Sequence, residues 1–219
     1  MESSLTSLMF LSGIKKYPKN RILLFPGEVP HGAYLIHQGV VKAYSINSAG
    51  TEQIADFYTN GDIFPLSWIF DKTTTTLYYY EALTSVSLMQ IDKETLRQKI
   101  KADRELQSHL VDYAVGQYTT TQLRITALEQ ARASEKILFT LYYLAHRHSE
   151  QETPDIFTLK LSLTHSLLAD MVGLTRETTT SELNKLKKQR VIAYSSKSFR
   201  INKPKLERLM GEDNFKGLI

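Results

Sequence analysis

The chain has 219 residues, 42% of them hydrophobic, a formal net charge of +4 and no cysteine. This allows one large or two small packed domains and argues against a disordered chain. It excludes disulfides, a cysteine-ligated iron–sulfur cluster and a thiol switch.

No run of ~18 apolar residues is present, so no membrane span is expected. The start MESSLTSLMFLSGIKK lacks a basic segment before its apolar stretch, so no signal peptide is expected either. A cytoplasmic protein is the expectation. The charge is uneven. From Arg132 onward there are 15 Lys+Arg and 10 Asp+Glu; the preceding part has 12 and 13. The surplus positive charge in the last part favours a nucleic-acid partner there.

Residues 1–14 read as a short amphipathic helix with Leu5, Leu8, Met9 and Phe10 facing inward. From Tyr17 the period changes to short runs rich in Ile, Val, Tyr and Phe: 21–25, 32–37, 40–46, 53–58, 76–82 and 85–91. Turn signals separate them, such as Pro26-Gly27-Glu28, Gln38-Gly39 and Asn60-Gly61-Asp62. Many short strands with such punctuation predict an antiparallel roll or sandwich.

Residues 92–100 predict a short helix with Asp92 as its cap, and residues 104–129 a long one. On the long helix Val111, Ala114, Tyr118, Thr121, Ile125 and Leu128 recur at three- and four-residue steps, a weakly apolar heptad stripe. That stripe serves either a dimer seam or packing within one subunit. Residues 133–147 form a further apolar helix, 149–155 a polar loop and 157–161 a strand. His146 and His148 are read as cations near a helix C-terminus.

The stretch 163–190, LTHSLLADMVGLTRETTTSELNKLKKQR, organises the rest. Leu167, Leu168, Met171 and Val172 recur at helical spacing, Gly173 supplies a stop, and Thr175 can cap a second helix. Leu183 and Leu186 give that second helix a buried side, while Arg176, Glu177, Thr178, Thr180 and Ser181 make its first half polar. This is a helix-turn-helix pattern. An Arg donates two hydrogen bonds to guanine, and a Glu accepts from the cytosine amino group. Lys185, Lys187, Lys188 and Arg190 follow and suit phosphates. Residues 191–194 and 199–202 predict a hairpin wing with Lys197 at its tip and Arg200 beside it, and 204–210 a final helix.

ADMVGLTRETTTSELNKLKK resembles the DNA-binding segment of the cyclic AMP receptor protein and fumarate–nitrate regulator superfamily. YLIHQGVVKAY followed by GTEQIADFYTNGDIF is similar to the strand–Gly–strand–Gly-Asp pattern of its β-roll sensor domain. The resemblance implies an α+β chain in three parts. These are a β-roll effector domain (1–103), a dimerisation helix (104–131) and a winged helix-turn-helix DNA-binding domain (132–219). It implies a homodimer on double-stranded DNA, with RNA polymerase as a further partner if the protein activates. Many relatives carry Arg where this chain has Ser181, so their half-site does not transfer.

Cyclic-nucleotide binders of the superfamily carry Gly-Glu-Leu and then Arg-Ser after the Gly-Asp pair. Here those positions fall on Pro65-Leu66-Ser67 and Thr76-Leu77. Without the Arg a cyclic phosphate has no charge-assisted partner, so tight cyclic-nucleotide binding is not expected. Phe64, Trp68, Tyr78 and Tyr80, with Tyr118, Thr121 and Gln122 of the long helix, are the candidate lining for a small apolar or aromatic effector. Aromatic strand residues also serve simply as core. His31, His37 and His109 are candidate axial ligands for the heme that some relatives bind, but a lone His is more often structural. No metal or resident cofactor is expected. No Gly-rich phosphate loop, nucleophile elbow or H-E-x-x-H is present, so catalysis is not expected. The alternatives are a ligand-independent regulator with a collapsed sensor pocket, a heme-based gas sensor of the same fold, and a scaffold whose helix-turn-helix contacts protein; the charge asymmetry argues against the last.

Overall fold

The computed structural model describes residues 13–195 and 198–211. The expected helix over 1–14 lies almost wholly outside these residues, as does Lys197. The chain divides into two compact units between Val115 and Gly116. That boundary falls inside the long helix.

The first unit holds eight strands: β1 (Ile14–Tyr17), β2 (Ile22–Leu24), β3 (Ala33–Gln38), β4 (Val41–Ile46), β5 (Glu52–Tyr58), β6 (Ile63–Phe64), β7 (Tyr79–Ala82) and β8 (Val86–Ile91). They pair antiparallel as two four-stranded sheets, β1-β8-β3-β6 and β2-β7-β4-β5. Alternation along β3 explains its unbroken apolar run. Tyr34 and Ile36 face the second sheet, with Val41, Ala43, Phe64, Tyr80 and Leu88. Ala33 and Leu35 face the helices, with Trp68, Met89, Leu96, Leu106 and Leu110. A strand buried on both faces needs apolar residues at every position.

Among the described residues, the helices of this unit are α1 (Leu66–Ile69), α2 (Lys93–Ala102) and the start of α3 (Arg104–Glu129). Asp92 caps α2 by accepting from the Thr95 amide at 2.9 Å. That bond holds the Asp92 carboxyl below its usual range. The β3–β4 connection depends on Gly39. Its φ is +101°, and a Cβ there would come within 2.5 Å of the Ser85 carbonyl oxygen.

The second unit contains the rest of α3, then α4 (Ala133–His148), α5 (His165–Val172), α6 (Arg176–Lys188) and α7 (Lys203–Met210). Its sheet, in the order β11-β12-β10-β9, joins β9 (Ser149–Thr153), β10 (Ile156–Leu159), β11 (Ile192–Tyr194) and β12 (Phe199–Asn202). Leu141, Tyr142, Leu144, Leu168, Leu183 and Leu206 are buried in this unit. Arg124 of α3 is also buried, and its guanidinium donates to the Met171 carbonyl in the last turn of α5. Carbonyls in a last helical turn lack intrahelical partners, so a cation there is favourable.

Two expectations are corrected. Ile14, expected in the first helix, instead begins the strand Ile14–Tyr17, which lies along β8. Its sequence IKKY is mostly exposed, and Lys residues blunt such an edge. Residues 149–153 form an exposed edge strand, not a loop. His148 is the last residue of α4, as its expected place near a helix C-terminus requires, and it is buried with its ring edge-on to Tyr143.

Gly173, in the second unit, has φ +65° and open space where a Cβ would lie. Replacing Gly173 with Ala should therefore cost only the left-handed backbone penalty, about 1–2 kcal/mol. Gly39→Ala adds overlap with backbone and should cost at least twice as much. Calorimetric unfolding of the two variants checks this; equal losses would contradict it.

Candidate nucleic-acid interface

Two capped helices meet at Gly173. Thr164 caps α5 by accepting from the Leu167 amide at 3.1 Å. Gly173 then turns left-handed, and the Leu174 amide closes back on the Ala169 carbonyl at 3.2 Å. Thr175 starts α6 by accepting from the Thr178 amide at 3.1 Å. These contacts leave little freedom in how α6 leaves α5.

The buried stripe of α6 is Thr179, Leu183 and Leu186, at four- and three-residue steps. The solvent side carries Arg176, Glu177, Thr180, Ser181 and Asn184, which line one surface depression. Four of the residues expected to read DNA are thus brought together. Thr178 is not among them: its hydroxyl lies 3.0 Å from that of Thr175 and belongs to the cap. Lys185 pairs with Glu182 at 2.6 Å, and Lys188 is exposed near the helix end. Asn184 was not anticipated. Its signal was one helical turn from Thr180 and two from Glu177.

The wing and α5 brace this helix. His165 Nδ1 lies 2.9 Å from Thr180 Oγ1. The His165 ring meets Tyr194 edge-on at 5.2 Å, and Tyr194 stacks on Phe199 at 5.4 Å. The Tyr194 hydroxyl donates to Asn184 at 3.2 Å, and the Lys187 ammonium sits 4.4 Å over the Tyr194 ring. Burial lowers the His165 pKa, and Arg176 and Lys187 lower it further. Arg200, expected at phosphate, pairs with Glu152 at 2.8 Å.

The candidate effector residues are distributed between the two units. Phe64 and Tyr80 are buried and stack at 4.9 Å, and Phe64 also stacks on Tyr34 at 5.4 Å. Burial pushes the Tyr80 hydroxyl up to about 12. Trp68 is buried in the helix-side core with Lys93 over its ring, and Tyr78 is half-buried. In the second unit, Tyr118, Thr121 and Gln122 are exposed. His31 and His37 are exposed, and His109 Nδ1 lies 2.8 Å from the Glu105 carbonyl of its own helix.

Residues 14–103 match the cyclic nucleotide-binding domain family, and residues 135–210 match the Crp-like helix-turn-helix domain. The chain belongs to the CRP/FNR superfamily. It is a DNA-binding transcription regulator with a ligand-binding domain. It is 24% identical over 192 residues to the global nitrogen regulator of Nostoc sp., spanning 87% of this chain and 86% of that one. It is 26% identical over 199 residues to the fumarate and nitrate reduction regulatory protein of Yersinia pestis, spanning 90% and 78%. A cyclic nucleotide-binding domain containing protein from Listeria monocytogenes has a similar fold, with a TM-score of 0.78 and 16% identity over 93% of this chain and 99% of that one.

Within the CRP/FNR pattern, the position of the phosphate-pairing Arg is filled differently here. Thr76 is buried, its hydroxyl donates to the Phe25 carbonyl and its amide to the Glu28 carbonyl at 2.9 Å. It is a backbone clasp between two loops. Leu66, at the position of the ribose-binding Glu, is half-buried against the helix-side core. Neither side chain supplies a charge.

Proposed function

We propose that the protein is a homodimeric, sequence-specific regulator whose α6 helices enter successive major grooves. The observation that carries this is the division of α6 into two faces. Thr179, Leu183 and Leu186 are buried, while Arg176, Glu177, Thr180 and Ser181 share one solvent face. Arg176 pairs with guanine and Glu177 with cytosine, and Thr180 and Ser181 contact neighbouring bases or phosphate. Thr178 contributes through the cap. Lys185, Lys188 and Lys197 supply phosphate contacts, which hold the helix in register without reading sequence.

The dimer reading rests on α3. Val111, Tyr118, Ile125 and Leu128 of the expected stripe are exposed, Val111 at 61% and Tyr118 at 65%. Exposed apolar residues recurring at heptad steps suit a second copy of the same helix. Two half-site readers fixed ~34 Å apart then match a palindrome. RNA polymerase is a partner in the activating case.

The effector, in this reading, is a small apolar or aromatic molecule and not a cyclic nucleotide. A second reading is favoured by the packing of Phe64, Trp68 and Tyr80 into the core: a regulator that binds DNA without ligand.

Arg176→Ala should lower affinity for a cognate duplex by about 1–3 kcal/mol and relax preference at one base pair. Lys188→Ala should weaken all duplexes alike and reduce the salt slope by about one. Fluorescence anisotropy on specific and random duplexes separates the two, and equal losses on both for both variants would contradict these roles. Calorimetric titration with cyclic AMP should show no micromolar binding, because nothing at Leu66 or Thr76 pairs with the ribose or the phosphate. A micromolar isotherm would refute that assignment.

A further inference from the structure

The contact between α5 and the reading face of α6 has a consequence for base choice. Thr180 lines the same depression as Arg176 and Glu177, and its hydroxyl lies 2.9 Å from His165 Nδ1. A threonine hydroxyl has one proton and two lone pairs. Whatever it offers to DNA is what His165 leaves unused.

We propose that His165 is a specificity-determining positioning residue: it sets whether Thr180 presents a hydrogen-bond acceptor or a donor to the base it faces. This rests on the reading of α6 as the helix in the major groove. When the ring is neutral with its proton on Nε2, Nδ1 accepts the Thr180 proton. Thr180 then presents lone pairs outward and favours the amino groups of adenine or cytosine. When the ring is cationic, Nδ1 carries a proton and donates to Thr180. The Thr180 proton then points outward and suits O6 or N7 of guanine, O4 of thymine or N7 of adenine, but not cytosine, whose major-groove edge only donates.

At neutral pH the surroundings favour the neutral ring, and the Nε2-protonated tautomer, whose Nδ1 accepts from Thr180, is part of the proposal. The ionisable groups around the ring are Arg176 and Lys187 from α6 and Tyr194 from β11. Partial burial, and then the two cations, oppose a positive charge on His165, so its folded pKa lies below the usual 6.5. Acidification through that range therefore adds a proton at the ring and reverses the hydrogen bond. Tyr194 keeps the ring in place by its edge-on contact.

The test uses the full-length protein and synthetic duplexes varied at each half-site position, with affinities measured at pH 8 and at the lowest pH at which the protein stays folded. The position read by Thr180 is the one whose preference Thr180→Val flattens. There the wild type should move from cytosine toward guanine or thymine on acidification, by about 3- to 10-fold, the worth of one hydrogen bond. Thr180→Ser should keep that shift, and His165→Gln, which does not titrate, should hold one preference at both pH values. A preference independent of pH in the wild type, or an undiminished shift in His165→Gln, overturns the proposal while leaving DNA reading intact. Absence of duplex binding at both pH values would overturn both.

Discussion

The arrangement depends on a left-handed turn at a single residue. Gly173 ends α5 with φ +65°, and two residues later Thr175 caps α6 through its hydroxyl. With both ends capped, the roll of α6 about its axis is set by Thr179, Leu183 and Leu186, which are buried. A helix has only one side left once a stripe at this spacing is fixed. Arg176, Glu177, Thr180, Ser181 and Asn184 therefore face solvent together. No separate device is needed to aim them.

The second unit carries this constraint outward in two directions. Tyr194 on β11 reaches Asn184, Lys187 and His165, so the wing strand, α5 and α6 share one set of contacts. On the other side, Arg124 of α3 holds the Met171 carbonyl, two residues before Gly173. A rotation of the C-terminal half of α3 would act directly on the end of α5. The long helix and the helix that precedes the reading helix are thus joined by a charge-assisted hydrogen bond.

Much of this was legible in the residues. Gly173, Thr175 and the Leu183–Leu186 spacing are local signals, and local signals survive folding. The strands of the first unit were bounded by Gly and Asn turns and were found within a few residues. What escaped notice has physical reasons. Strand β1 is an exposed edge, and β9 is exposed on nearly every residue, so neither needs an alternating pattern. Strand β6 is two residues long and is defined only by its partner β3. The apolar character of Phe64 and Tyr80 did not reveal whether a neighbour would be a ligand or another ring. Asn184 was missed because its role depends on Tyr194, ten residues away in a strand.

The claim that α6 reads base edges from the major groove, as half of a pair, is tested most directly by dimethyl sulfate footprinting of a bound operator. Guanine N7 faces the major groove and adenine N3 the minor groove. The account expects N7 protection in two clusters about one helical turn apart, with adenine N3 still reactive between them. Protection confined to adenine N3, or a single N7 cluster without a symmetric partner, would contradict it.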